Sequence, residues 1–115
     1  MSKLQTEEQA RLAEQFQALG NPHRLAIFEY LARNCCVGST TTDDRMVATV
    51  GKLASMLTIA PSTVSHHLKE LRTAGLIAMV RNGQERECWV EPEVLRSLGS
   101  YFEVLLPEDC GECGI

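Results

Sequence analysis

Long apolar runs, excess positive charge and aromatic side chains are all scarce in this chain. No apolar run approaches the roughly 18 residues that a membrane-spanning helix needs, and the N-terminus lacks the apolar core of a signal peptide. These absences predict a cytoplasmic protein with no membrane partner. Aromatic residues make up 5% of the sequence and internal repeats are absent, so the 115 residues predict one globular domain with a modest core rather than a repeat array.

The net charge of −4 argues against tight non-specific binding to nucleic acid, but the charge is unevenly distributed. Residues 91–115 contain six acidic side chains against one basic, whereas residues 35–90 contain six basic side chains against five acidic. The acidic excess therefore lies at one end of the chain, and the middle can still present a local basic surface.

Residues 52–76, KLASMLTIAPSTVSHHLKELRTAGL, predict two short helices joined by a tight turn. Val64, Leu68 and Leu71 are spaced i, i+4 and i+7 and so form one apolar stripe, beside which His67 is expected to be partly packed. Successive helical residues are rotated by about 100°, which places polar side chains on the opposite face, Ser62, His66, Lys69 and Thr73, with Thr63 and Ser65 on its flanks. Such a face suits base edges and phosphates in the major groove of double-stranded DNA. The segment predicts a helix-turn-helix whose second helix binds DNA.

The segments that precede this motif predict two further helices. A capping-box pattern at residues 6–9 opens the first helix, and Gly20 is expected to end it. Asn21-Pro22 opens the second helix. The side chains of this second helix that are predicted to face the core are Leu25, Phe28, Leu31 and Ala32.

The segments that follow the motif predict a β-hairpin and a last helix. Residues 77–90 form the hairpin with Asn82-Gly83 at its tip, and its Arg81 and Arg86 are expected to bind DNA beside the main contact. The last helix runs between Pro92 and Pro107. Its wide apolar face, which predicts a dimer, comprises Val94, Leu95, Leu98, Phe102 and Leu105. The whole pattern is mostly α with a small β-hairpin, a dimeric winged helix-turn-helix over residues 1–107 followed by an acidic, cysteine-containing tail over residues 108–115.

Five cysteines fall into three groups: Cys35-Cys36, Cys88, and the tail pair Cys110 and Cys113. Cytoplasmic thiols are more often ligands or sensors than structural disulfides, and thiolates bind thiophilic ions such as arsenite, zinc, cadmium and copper(I). We expect the first and last groups to bind such an ion, As(III) first, and Cys88 to be a packing residue. Two alternatives remain open. Cys35 or Cys36 can be a small core residue, and the thiols can instead form a disulfide or polysulfide without any metal.

Three features together resemble the ArsR/SmtB family of small bacterial transcriptional repressors: LGNPHRLAIFEYL at 19–31, STVSHHLKELRTAGLI at 62–77, and the hairpin followed by a last helix. The resemblance covers roughly residues 9–105. It implies a homodimer, joined through its first and last helices, that binds a palindromic operator and leaves it when an inducer binds.

The chain departs from the family pattern at several places. The segment between the second and third helices is longer than the family suggests, Thr58 replaces the usual turn glycine, and Ala60 replaces the usual capping serine. The third-helix segment VATVGKLA lacks the cysteine pair of many arsenic-sensing members, and the last helix lacks the histidine of zinc-sensing members. The resemblance therefore implies DNA binding but does not identify the inducer.

Two other function classes compete with a DNA-binding repressor. A winged helix used only for protein interaction would have a hydrophobic recognition helix and a wing without arginine. This sequence instead has a polar face on that helix and two arginines, Arg81 and Arg86, in the wing. A thiol oxidoreductase would place its CxxC motif at the start of a helix, which lowers the pKa of the thiol, but here the motif follows Pro107. We see no other catalytic constellation in the sequence and predict that the protein is not an enzyme.

Overall fold

The computed structural model describes residues 6–34 and 48–107. Across these residues the chain forms five helices and three strands, in this order: α1 (Glu7–Leu19), α2 (Pro22–Asn34), β1 (Ala48–Thr49), α3 (Val50–Leu57), α4 (Pro61–Thr73), β2 (Ala78–Asn82), β3 (Glu85–Trp89) and α5 (Pro92–Leu105). The predicted winged helix-turn-helix, mostly α with a small hairpin, is confirmed. None of the described helices is both long enough and apolar enough to cross a membrane.

Side-chain caps start the first two helices where the sequence predicts them. Thr6 accepts a hydrogen bond from the Gln9 backbone N–H at 3.1 Å, and the Gln9 side chain accepts one from the Thr6 N–H at 3.0 Å, which completes the capping box. The Asn21 side chain accepts from the backbone N–H groups of His23 and Arg24, at 2.9 and 3.1 Å. Each cap satisfies backbone donors that have no partner within the helix.

The α4 helix lies across the centre of the hydrophobic core. Val64, Leu68 and Leu71 are fully buried, as their spacing predicts. They belong to one cluster of buried side chains that also draws on α2, α3, β3 and the segments beside the hairpin, and that includes Ile27, Leu31, Leu53, Leu76, Cys88 and Val90. Burial of this stripe fixes the direction in which the opposite, polar face of α4 points.

The predicted inward face of α2 is partly wrong. Leu25 is 49% exposed, whereas Ile27, which the prediction omitted, is 1% exposed and packs with the buried Phe28 and Leu31. At about 100° per residue, the centre of the Ile27–Phe28–Leu31 face lies roughly a third of a turn away from Leu25. Leu25 therefore faces solvent in the single chain.

The three strands form an antiparallel sheet in the order β1-β3-β2. Asn82 pairs with Glu85, so the two loop residues of the hairpin are Gly83 and Gln84, and the predicted tip was one residue too early. Gly83 has φ of 69°, the positive value that the first loop residue of a tight hairpin turn requires. The turn follows the residue that best tolerates this backbone conformation.

The α5 helix packs at the edge of the molecule and contains no buried residue. Its exposed large apolar side chains and those that follow it are Leu95, Phe102, Val104, Leu105 and Leu106. Phe16 of α1 contacts this helix, with ring centroids 6.2 Å from Tyr101 and 5.6 Å from Phe102. The outer sides of α1 and α5 therefore share one aromatic contact and an uncovered apolar surface.

Candidate nucleic-acid interface

The turn between α3 and α4 sets the angle of the helix-turn-helix. Thr58 adopts left-handed backbone angles, φ 53° and ψ 46°, and its hydroxyl donates to the carbonyl oxygen of Leu57 at 2.6 Å. An L-residue in this conformation costs on the order of 1 kcal/mol, which explains why glycine suits the position better. Ala60 offers no side-chain cap to α4, and Pro61 occupies the first helical turn.

The polar face of α4 carries the predicted DNA-binding side chains outward. Ser62, Thr63, His66 and Lys69 are exposed, and Ser65 is half-buried. Ser62, His66 and Lys69 lie opposite the buried Val64–Leu71 stripe, and Thr63 and Ser65 lie on its flanks, so burial of the stripe fixes where these side chains point. The face consists of hydroxyls, one imidazole and one ammonium group, all able to donate hydrogen bonds to base edges or phosphates.

The hairpin forms a wing on which two arginines face each other. Arg81 and Arg86 are direct partners across β2 and β3, and both are exposed. Like charges placed directly opposite each other on neighbouring strands are destabilising. A bound polyanion would relieve this repulsion.

A cleft of about 550 Å³ lies between α4 and the wing. Its lining residues are Ser62, Ser65, His66, Lys69, Arg72, Met79, Val80, Arg81 and Arg86. Six of the seven predicted DNA-binding residues are thus brought together, and Thr63 is the one that is not among them. Four of the described lining residues are permanent cations and none is acidic. The cleft is therefore a local basic surface in a chain whose net charge is −4.

The prediction from sequence missed three residues of this cleft. Arg72 follows Lys69 by three residues and so lies on the same side of α4, a spacing that was enough to find it. Met79 and Val80 give the wing side of the cleft an apolar part. Only the fold brings these two side chains opposite the recognition helix, because the hairpin folds back after Leu76.

His67 is a packed histidine, as expected, and lies just beneath the polar face. It is 7% exposed, its Nδ1 has no hydrogen-bond partner among the described residues, and its ring centroid lies 5.6 Å from that of His23. Burial lowers the pKa of His67 below its ordinary value of 6.5, and the nearby Arg24, His23 and His66 lower it further. The imidazole is therefore neutral at neutral pH.

The thiols divide between the core and segments outside the described residues. Cys88 is fully buried, and its thiol donates to the carbonyl oxygen of Ala48 at 3.4 Å, as the expected packing role requires. Cys35, Cys36, Cys110 and Cys113 lie outside the described ranges. Within residues 6–34 and 48–107, no group of three or more His, Cys, Asp or Glu side chains is placed to hold a metal ion.

Comparisons with known proteins agree with this geometry. The model of the helix-turn-helix domain family matches residues 19–80. The crystal structure of an ArsR family transcriptional regulator is similar at 27% identity, over 86% of this chain and 88% of that one, with a TM-score of 0.65. NolR from Sinorhizobium fredii is also 27% identical, over 91% of this chain and 97% of that one, with a TM-score of 0.61.

A third solved structure shares the fold at lower identity. It is the homodimeric winged helix-turn-helix DNA-binding domain of a possible ArsR-family regulator from Mycobacterium bovis, 23% identical over 90% of this chain and 89% of that one, with a TM-score of 0.62. Among curated proteins, none is significantly similar in sequence.

Proposed function

This chain belongs to the helix-turn-helix domain family, in its ArsR/SmtB-type winged form, and from that membership we infer that it is a homodimeric repressor of transcription that binds a palindromic DNA operator. The observation that carries this proposal is the basic cleft between α4 and the wing, which combines four cations with hydroxyl and imidazole donors. The sugar–phosphate backbone of DNA is a polyanion that such a set of cations and hydrogen-bond donors fits.

In this proposal, the basic side chains of the cleft bind phosphates and the polar face of α4 binds base edges. Lys69, Arg81 and Arg86 neutralise phosphates, and the paired arginines of the wing lose their mutual repulsion when a phosphate lies between them. The polar face of α4 enters the major groove. Its donors to base edges and phosphates are Ser62, Thr63, Ser65 and His66.

The homodimer follows from the uncovered apolar surface of α5 and the outer side of α1. Phe102 is 54% exposed and Leu105 is 60% exposed in the single chain, beside the half-buried Phe16. A second copy placed on the same surface buries these side chains on both subunits, which is the geometry of a twofold interface. Two recognition helices about 34 Å apart then meet successive major grooves, and the operator repeats that symmetry as a palindrome.

The inducer in this proposal is a thiophilic agent, arsenite first. Cys110 and Cys113, together with Cys35 or Cys36, supply the three thiolates that a trivalent arsenic centre takes. The support is chemical, since soft thiolates bind this ion, and Cys88 is buried in the core and so is not a candidate. Binding and release are linked, so the inducer weakens DNA affinity by the same factor by which DNA weakens inducer affinity.

The test begins with a duplex that the wild-type protein selects from a random library. We expect arsenite to release the protein from this duplex, Cys110→Ser to remain bound when arsenite is added, and Cys88→Ala to respond like the wild type. Zinc, cadmium and a persulfide are titrated alongside. Release by persulfide but not by arsenite would replace metalloid sensing with thiol redox sensing, and normal arsenite release by a protein cut after Pro107 would remove the tail from the sensor.

A further inference from the structure

The last turn of the recognition helix α4 ends in a glycine motif that leaves the carbonyl group of Ala74 for another element to bind. Gly75 has φ of +80°, its N–H donates to the Arg72 carbonyl at 2.9 Å, and the Leu76 N–H donates to the Leu71 carbonyl at 3.0 Å. These two bonds are those of a Schellman motif, which satisfies two of the last carbonyls of the helix. The carbonyl of Ala74, the residue that caps the helix, takes no part in them.

A side chain from α1 binds the carbonyl group of Ala74. The Nε2 of Gln15 donates to the carbonyl oxygen of Ala74 at 3.2 Å, across 59 residues of sequence. Gln15 is only 6% exposed, and it is one of two buried polar residues in the described part of the chain, the other being His67. A buried amide needs hydrogen-bond partners, and the Gln15 amide finds one at the end of α4.

The next residue of α1 contacts the last helix, α5. Phe16 packs against Tyr101 and Phe102 of α5, the helix that carries the proposed dimer surface. The end of α1 is itself held, because the Arg24 side chain of α2 donates to the Ala18 carbonyl at 2.7 Å. Adjacent residues of one anchored helix therefore contact the recognition helix and the α5 surface.

We infer that Gln15 is a positioning residue that holds the C-terminal end of the recognition helix in a fixed orientation to the α1–α5 surface. This inference rests on the proposed function, because in a homodimer that orientation sets the distance between the two recognition helices. A palindrome requires both helices at one spacing, whereas a single half-site requires only one of them. The hydrogen bond therefore contributes to binding of the whole operator far more than to binding of half of it.

The test compares Gln15→Met with Gln17→Met, an exposed glutamine on the same helix that serves as the matched control. Methionine has a similar length but no amide group, so the first change removes the donor to Ala74 while nearly keeping the size of the side chain. The probes are the duplex selected by the wild-type protein and a duplex carrying one half of it. We expect Gln15→Met to weaken binding to the full duplex about 10-fold and to the half-site less than twofold, since each of the two protomers loses one hydrogen bond.

A second variant, and a measurement made without DNA, test the role of Gln15 independently of operator binding. Gln15→Asn retains the amide but is one methylene shorter, and we expect it to behave like Gln15→Met. Hydrogen exchange of the free protein should show faster exchange at the amides of Gly75 and Leu76 in both variants, with dimer formation unchanged, and no change in Gln17→Met.

The outcomes separate this inference from the proposed function. If the wild-type protein selects no duplex, the proposed function fails, and exchange at the end of α4 still decides whether Gln15 holds that helix. If the wild type binds and both Gln15 variants keep its affinity for the full duplex, the positioning role is overturned while the repressor stands. Equal loss on full and half-site duplexes would also overturn it, because that result indicates general destabilisation.

Discussion

Two amphipathic helices, α4 and α5, differ in how much of their apolar face one chain buries. The apolar stripe of α4 is fully buried, whereas α5 has no buried residue although its apolar face is at least as wide. Both helices follow the same periodicity, so the difference lies in what covers them. One chain buries the apolar stripe of α4 but leaves Leu95, Phe102 and Leu105 of α5 exposed.

This difference separates the two parts of the proposed function. The core holds α4 rigidly, so its polar face is in place before DNA arrives, which lowers the conformational cost of binding. The α5 surface gains its stabilisation only when a second copy covers it, at roughly 25 cal/mol for each square ångström of apolar area removed from water. In the proposed function, one chain alone forms the DNA-binding face of α4, whereas the dimer surface on α5 is buried only when a second copy binds.

The largest expected effect comes from shortening one leucine in each helix. Leu68→Ala in α4 should lower the free energy of unfolding by about 2 to 5 kcal/mol at any protein concentration, because it leaves a cavity in the core. Leu105→Ala in α5 should cost less than about 0.5 kcal/mol in dilute protein and more in concentrated protein, where the dimer forms. Urea denaturation at two concentrations measures both. Equal, concentration-independent losses would remove the distinction between the helices.

A charge placed in the α5 surface should separate assembly from folding. Phe102→Glu should raise the dimer dissociation constant about 100-fold or more, because the twofold interface carries the change twice, while the helix content stays that of the wild type. Sedimentation velocity at micromolar concentration measures the result. Arg96→Gln, exposed on the same helix and paired with Glu93 at 3.0 Å, is the control that should stay dimeric. A dimeric Phe102→Glu protein would place the interface elsewhere.

The smallest expected effect concerns the pH dependence of the α4 region. The pKa of His67 is lowered in the folded protein, mainly by burial, so the unfolded chain binds a proton first as the pH falls through 6.5. The contribution of His67 to the free energy of unfolding should therefore not change with pH above 6.5. As the pH falls below 6.5, this contribution should decrease until the folded-state pKa is reached. The groups that face His67 are His23, Arg24, His66 and Glu70.

His67→Gln removes this titration while keeping a polar side chain of similar size. We expect urea denaturation between pH 8 and pH 5 to show a smaller loss of stability in the variant than in the wild type. The matched change His23→Gln, at an exposed position, should keep most of the wild-type slope. Identical slopes in wild type and His67→Gln would show that another group governs the pH dependence.

What the sequence predicts well is what depends on neighbours along the chain. The capping box of Thr6 and Gln9 and the buried stripe of Val64, Leu68 and Leu71 both follow from spacings of a few residues. Leu25 was assigned to the wrong face because α2 contains more apolar residues than one face can bury, and only packing decides between Leu25 and Ile27.

The features that escaped prediction join distant parts of the chain. From the sequence alone, Gln15 is indistinguishable from any other helical residue, because its contact depends on how α1 packs against the end of α4. In the same way, the sequence identifies Met79 and Val80 only as strand residues, because their place in the cleft depends on the direction of the hairpin. The basic character of the cleft is also hidden in a net charge of −4, because the acidic side chains of residues 91–115 offset it in the total.

The most direct test of the DNA-binding cleft is the salt dependence of binding to the selected duplex in Lys69→Ala, His66→Ala and Arg33→Ala. Arg33 is exposed on α2, paired with Glu29 at 3.0 Å and not part of the cleft lining, so its substitution removes one positive charge outside the cleft. Fluorescence anisotropy should show weaker binding by Lys69→Ala and His66→Ala, and a salt slope reduced by about one for each protomer in Lys69→Ala, with Arg33→Ala like the wild type. Wild-type affinity and slope in both Lys69→Ala and His66→Ala would contradict the account.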